Sequence, residues 1–481
     1  MSDLPDNRDE GEPPTGRISR RAFIKAAGAA GVVAGLAPIL AACGGDGEEA
    51  APPPAEPAPA EPAPPAETGA APPAAGETGR PVKIGLVSPQ TGPLAAFGET
   101  DSYMVGQMQQ ILADGIEIGG VVHPVEIDLK DTQSDPTRAA EVTQEAIDGG
   151  VDLVIPGATP ETTNPVGDTC EANGVPCLSS VCPWQPWFFR TTPPTPENVG
   201  SLLENDTFEW QYHFFWGLED IIAIFLDMWS QIETNQVVGV IYPNDGDGNA
   251  WGGPLGFPPP LADAGYTVVD PGRFETGTDD FSAQIAQFKS EGVEIVTGVP
   301  VPPDFTTFWT QSAQQDFHPK IATVGKALLF PASVDALPEG LGEGLSTEVW
   351  WHPTFPVASS LTGETSQELA DAWTTATGKQ WTMPLGWSHA IFEVAVDSLK
   401  RTVDIDDPAA VRDAIAATNL DTMTGHVQWG SGPTKNVAKS PVVGGQWVTG
   451  SGDYAYDLTV VSNVQYPDTP TTAALQAIPG S

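Results

Sequence analysis

Three aromatic side chains stand just beyond runs that read as strands. Phe97 closes Ser88-Pro89-Gln90-Thr91-Gly92-Pro93-Leu94-Ala95-Ala96-Phe97-Gly98, Trp184 follows Val181-Cys182-Pro183, and Trp251 ends Asn244-Asp245-Gly246-Asp247-Gly248-Asn249-Ala250-Trp251. In open α/β sheets ligands sit beyond the carboxyl ends of strands. Rings meeting at such an edge would do the chemistry of recognition, gripping a small solute by apolar and π surface. Taken singly, each ring is more often core packing. Groupings suited to bond-making are thin. Gly386-Trp387-Ser388-His389-Ala390 lacks the second glycine of a nucleophile elbow and reads as a helix start capped by Ser388. Gly246-Asp247-Gly248 has neither the G-x-G-x-x-G context nor a P-loop lysine. With 63 Asp and Glu in the chain, chance carboxylate pairs carry no information. The residues point to no enzyme and no cofactor.

The elements that must position these rings alternate strand and helix. Val82–Val87, Val125–Leu129, Val151–Ile155 and Val175–Leu178 read as strands, separated by helices over Glu99–Asp114, from Asp135-Pro136 through Ile147, and over Thr162–Ala172. The rhythm restarts with strands at Val237–Tyr242, Thr267–Val269, Glu294–Thr297 and Ile321–Val324, and helices around Phe281–Phe288 and Phe305–Gln315. Two βαβα runs predict two parallel-sheet lobes with helices on both faces. Between them, Trp210–Trp229 reads as one buried amphipathic helix, because Glu219 and Asp220 interrupt its apolar run. Cys170, near a helix end, and Cys177, opening the next strand, face each other across Asn173-Gly174. A Cys170–Cys177 disulfide with Cys182 free is the first expectation. Three buried thiols is the alternative and a metal the third, since none of the six His has ligand spacing with these cysteines.

The amino terminus is an address. Arg20-Arg21-Ala22-Phe23-Ile24-Lys25 resembles a twin-arginine export signal, and Leu40-Ala41-Ala42-Cys43 resembles a lipobox whose cysteine becomes the acylated mature terminus. Ala26–Ala42 is too short, and too rich in Ala and Gly, to read as a membrane span. Gly44–Arg80 holds no Ile, Leu, Val or aromatic residue and cannot bury a core. Extended at ~3.1 Å per residue it would reach on the order of 100 Å as a tether. The first 42 residues carry as many acids as bases, so the net charge of −43 belongs to residues 43–481. Such a surface excludes nucleic acid as a partner.

Several motifs, in order across Val82–Val464, carry a resemblance. They are V-K-I-G-L-V-S-P-Q-T-G-P-L-A-A-F-G, D-T-Q-S-D-P-T-R-A-A-E-V-T-Q-E-A-I-D-G-G-V-D-L-V-I-P-G and A-N-G-V-P-C-L-S-S, then T-G-T-D-D-F-S-A-Q-I-A-Q-F-K and G-K-Q-W-T-M-P-L-G-W-S-H-A. Together they resemble the branched-chain amino-acid-type (Leu/Ile/Val-binding protein-like) extracellular solute-binding lipoproteins of ABC importers. The resemblance implies a type I periplasmic binding protein fold, with two Rossmann-like lobes joined by three crossovers. Residues 81–192 with 350–442 would form lobe 1, and 193–349 with 443–466 lobe 2. Residues 1–42 would be the signal peptide, 43–80 the tether and 467–481 a tail. Crossovers are expected near Phe189–Pro194, Gly344–His352 and Ser440–Gln446. The implied role is capture of a small solute by a monomer, held at the outer face of the cytoplasmic membrane through Cys43, for an ABC permease and ATPase. A ligand sensor for a membrane signalling partner is the alternative on the same fold.

The resemblance also carries site residues. Phe97 and Trp251 match the family's two aromatic positions. Thr159 and Thr162 stand where a G-x-x-S-S-type loop holds a ligand carboxylate, and Val181-Cys182-Pro183 replaces the end of an S-P-x-A-T segment. Where amino-acid binders place a Glu for the ligand ammonium, the register here gives Lys326. A cation there disfavours an ammonium and predicts an anionic ligand, such as a carboxylic acid. The alternative is a Lys326 turned to solvent.

Overall fold

The computed structural model describes residues 78–190, 194–195, 197–205 and 207–481. The export segment, Cys43 and all but the last three tether residues lie outside the described residues. From Thr78 the chain is tied down: the Gly79 amide donates to the Val122 carbonyl at 2.9 Å, and Arg80 pairs with Asp152 at 2.7 Å.

Strand β1 (Val82–Ser88) is buried at nearly every position, as a strand covered by helices on both faces must be. A small hairpin, β2 (Ile116–Ile118) and β3 (Val121–His123), leads into β4 (Val125–Asp131), followed by β5 (Leu153–Pro156), β6 (Cys177–Ser179) and β7 (Gln211–Phe214). Then come β8 (Val237–Ile241), β9 (Thr267–Val269), β10 (Ile295–Gly298), β11 (Ile321–Val324) and β12 (Ser346–Val349). A second hairpin, β13 (Asn419–Thr422) and β14 (Gly425–Gln428), precedes β15 (Val437–Ala438), β16 (Val443–Thr449) and β17 (Tyr456–Ser462). One six-stranded sheet runs β15-β7-β6-β5-β1-β4, and a seven-stranded sheet runs β17-β16-β12-β11-β10-β8-β9. Ile84 of β1 lies beside Ile127 and Leu153 in parallel register, and Ile295 of β10 beside Val238 and Ile321. Strand order reverses beside β1 in the first sheet and beside β8 in the second, and each reversal opens a crevice at the carboxyl ends. This is the expected α/β architecture.

Local chemistry explains the helices that flank the cleft. Asp135 caps the helix Pro136–Asp148 by accepting from the Arg138 amide at 2.7 Å, with proline in the first turn. The helix Pro160–Asn173 stops at Gly174, whose φ of 69° is the left-handed conformation that glycine adopts without penalty.

The chain crosses between lobes three times, but the first crossing falls later than expected. Gln211–Phe214 pairs with β6 in the first sheet, so residues up to Phe214 belong to lobe 1, and helix begins only at Leu218–Ser230. The single helix expected over Trp210–Trp229 is therefore a strand, a short irregular link and a helix. Pairing with β6 on one side and β15 on the other makes the strand, and His213 pins it: its ring bonds Ser179 Oγ at 2.9 Å and the Cys182 carbonyl at 2.8 Å, and stacks on Trp187. The second crossing follows β12 and the third joins β15 to β16. Lys439, on the third, pairs with Glu219 and Asp220 at 2.7 Å each, tying it to the helix that follows the first.

The expected disulfide is not formed. Cys170, Cys177 and Cys182 are free, buried thiols. Cys170 and Cys177 do come together inside an apolar cluster with Val87, Val142, Val154 and Val166. Burial, and then the hydrogen bond with Cys177, raise the Cys170 thiol well above its ordinary range. Among the described residues, no helix is long and apolar enough to cross a membrane.

Candidate functional site

The carboxyl ends of both sheets face a small, partly open pocket with a cavity volume of ≈ 30 Å³. Phe97 enters from the turn after β1, Thr159 after β5, and Val181 and Pro183 after β6. From the other lobe come Asp247 and Trp251 on the helix after β8, Val299 after β10, Lys326 after β11 and Glu348 within β12. Phe215, Trp216 and Trp350, all on crossover segments, complete the wall with Leu329. The lobes touch across this space: Phe97 packs edge-on against Phe330 at 4.9 Å.

Two wall residues hold backbone conformations that L side chains rarely adopt, Val181 at φ 72° and Lys326 at φ 58°. For a β-branched residue such a φ is a true outlier, costing on the order of 1–3 kcal/mol. The turn at Val181 presents that residue to the cleft and sends Cys182 and Trp184 the other way, into a cluster with Trp187, Phe188 and Phe208. Of the expected ligand-binding residues, Phe97, Thr159, Val181, Trp251 and Lys326 line the pocket; Thr162, Cys182 and Trp184 are buried beside it without lining it. Trp184 instead donates its indole N–H to Glu219 at 3.2 Å. Trp251 is stacked on Phe257 at 4.8 Å and is 1 % exposed. Gly325 permits this packing, since a Cβ there would lie 2.6 Å from the Trp251 ring.

Lys326 is neither turned to solvent nor free to meet an anion. It is 3 % exposed, with its ammonium 2.8 Å from Asp247 and 3.0 Å from Asp245. Glu161 of lobe 1 reaches across, accepts from the Gly246 amide at 2.7 Å and adds a third negative charge beside the same lysine. Asp245 also caps its helix, accepting from the Gly248 amide at 2.7 Å. Burial lowers the Lys326 ammonium, but Asp245, Asp247 and Glu161 more than reverse this and hold it well above the usual lysine range. Burial raises Asp247 to about 7 against the pull of Lys326, and raises Glu348 to about 7 as well. Burial works against ionisation of Glu161 too, yet Lys326 leaves it net below the usual range. The cation expected to greet an anionic ligand is thus already shared among carboxylates 79 to 165 residues away along the chain.

Several wall groups are buried without partners: Asp247 Oδ1 and the indole N–H groups of Trp216, Trp251 and Trp350. Such groups are costly to leave unpaired. Among the described residues, no group of His, Cys, Asp and Glu is arranged to hold a metal ion. Sequence reasoning missed Asp247, Glu348, Phe215, Trp216 and Trp350. The signal for Asp247 was present in Asn244-Asp245-Gly246-Asp247-Gly248-Asn249, where the helix cap and the site residue are two positions apart.

Comparison with known proteins agrees with this geometry. The chain is similar in structure to a leucine-binding protein, LivK, from Thermotoga maritima (20 % identity, TM-score 0.62, covering 78 % of this chain and 98 % of that one). It is also similar to the branched-chain amino acid transporter substrate-binding protein LivJ of Streptococcus pneumoniae, solved with isoleucine (15 %, TM-score 0.62, 79 % and 99 %). A third is a solute-binding protein of an ABC transporter from Rhodopseudomonas palustris BisB5, solved with 3,4-dihydroxybenzoic acid (15 %, TM-score 0.60, 81 % and 99 %). No curated protein matches the chain at a significant level of sequence similarity. Residues 81–453 match the family described as periplasmic binding protein. With two open α/β lobes, three crossovers and a pocket between their carboxyl edges, the chain belongs to the periplasmic binding protein family and has its type I fold.

Proposed function

We propose that this chain is the substrate-binding component of an ABC importer, capturing a small organic solute between its lobes and delivering it to a membrane permease with its ATPase. The observation that carries this reading is the pocket itself. Its walls come from both lobes and from the segments joining them, so a solute held there stabilises the closed arrangement, the usual currency of hinge closure. The wall offers aromatic surface and a few polar groups, suited to binding rather than turnover. Relatives of the same fold were solved with isoleucine and with an aromatic acid, which supports a small organic solute and leaves its charge to the walls of this particular cleft. The lipobox-like Leu40–Cys43 and the Pro-rich segment after it support mooring at the outer face of the membrane. A thermal-shift screen of amino acids, organic acids and amines tests the proposal, because a ligand of the folded state must raise its melting temperature. At least one compound should do so for the native chain and fail for Trp251→Ala. If no small solute shifts the native protein, the reading is wrong.

A further inference from the structure

We infer that the solute this cleft prefers carries a net positive charge on nitrogen, an organic ammonium rather than an anion or a zwitterion. The inference rests on the pocket being the solute site and adds the chemical class. Four carboxylates, Glu161, Asp245, Asp247 and Glu348, gather around or line the cavity, and Lys326 is the one basic side chain among the described residues that line it. That lysine is fully engaged by Asp245 and Asp247, so the group that could have recognised an anion is spent inside the protein. The negative charge left over has no counterion among the described lining residues.

A second observation points the same way and is independent of the charge count. Asp247 is 3 % exposed, one of its oxygens holds Lys326, and the other, Oδ1, has no hydrogen-bond partner although the residue lines the cavity. An unsatisfied buried carboxylate oxygen asks for a donor, and a cationic N–H, or a charged nitrogen in close approach, is the strongest one available. The rest of the wall suits the same guest. Phe97, Trp216, Trp251 and Trp350 supply aromatic surface, whose π faces attract organic cations. A carboxylate-bearing guest would meet Asp247 and Glu348 as like charges, at a loss of several-fold or more in affinity.

The test is calorimetric titration of the native chain with choline, butylammonium, leucine and benzoate at one ionic strength. Sodium chloride serves as the blank, because the strongly acidic surface responds to any salt. The expected result is saturable one-to-one binding of at least one of the two cations, at least tenfold tighter than leucine and with benzoate weaker still. Asp247→Asn should weaken the cation at least tenfold, and Glu348→Gln gives the same reading should Asp247→Asn fail to fold. Tighter binding of benzoate or leucine than of either cation overturns this inference while leaving the solute-binding proposal standing. Binding of a cation that neither variant weakens also overturns it. Failure of all four compounds to bind overturns it too, and with a blank thermal-shift screen removes the proposed function as well.

Discussion

Removing the charge of Lys326 is the perturbation with the clearest consequence. In Lys326→Met, Asp245, Asp247 and Glu161 keep their buried positions and lose their common counterion. Breaking a buried pair from one side typically costs about 3–5 kcal/mol, because the remaining charge has neither water nor partner. Two contacts of 2.8 and 3.0 Å to a side chain 3 % exposed place this lysine in that class rather than among surface pairs. At pH 7.5 the expected loss is therefore about 4 kcal/mol, a large part of the ~5–15 kcal/mol that holds a typical domain folded. The loss should shrink in acid. Asp247 already stands at about 7 through burial, and without Lys326 it and its neighbours rise further, so at pH 5.5 they escape by taking up protons. Each pH unit is worth up to about 1.4 kcal/mol per group, which brings the expected penalty to about 2 kcal/mol. Urea denaturation of both proteins at the two pH values measures it. A penalty below about 1 kcal/mol at both, or one that grows in acid, refutes the buried cluster.

Two further outcomes concern buried groups. Burial raises Asp247 and Glu348 to about 7, and Asp101 and Asp304 to about 6, so between their unfolded values near 4 and those figures the folded chain holds more protons than the unfolded one. Their contribution to stability is then complete below about pH 4 and lost as pH rises to 7. Denaturation of the apo protein across that window should show stability falling with pH and a shallower fall in Asp247→Asn; an unchanged slope in the variant contradicts it. For the thiols, we propose that oxidation joins Cys170 to Cys177, which already share a hydrogen bond. Mass spectrometry after mild oxidation should find that peptide pair, and find it also in Cys182→Ser; a bridge involving Cys182 rules it out.

Much of the fold was legible because local signals agreed with tertiary ones. V-K-I-G-L-V reads as a buried parallel strand, and Asp135-Pro136 announces a helix start that the Arg138 amide confirms. Gln211–Trp216 was misread because Q-Y-H-F-F-W is apolar throughout its second half, and such a run has neither a period of two nor of 3.6. What makes it a strand is backbone pairing with β6 and β15, more than thirty and more than two hundred residues away, which no window contains; His213 adds bonds to Ser179 and Cys182. The site divided in the same way. Phe97 and Trp251 were visible because each sits on the first turn or helix after a strand. Trp184 was expected beside them, but the left-handed turn at Val181 directs it elsewhere, and nothing in Val181-Cys182-Pro183 advertises that turn. Lys326 was found by position and misjudged in role, since its partners lie on other strands' loops.

The proposed function places a solute at the carboxyl edges of both sheets. The most direct measurement is a crystal structure of the chain with a bound solute. The predicted density lies between Phe97 and Trp251, in contact with Asp247 Oδ1, with Lys326 still on Asp245 and Asp247. A solute seated instead in the roomier cavity of ≈ 640 Å³ beside Arg190, Leu218 and Leu255, with the Phe97–Trp251 pocket empty, would contradict it.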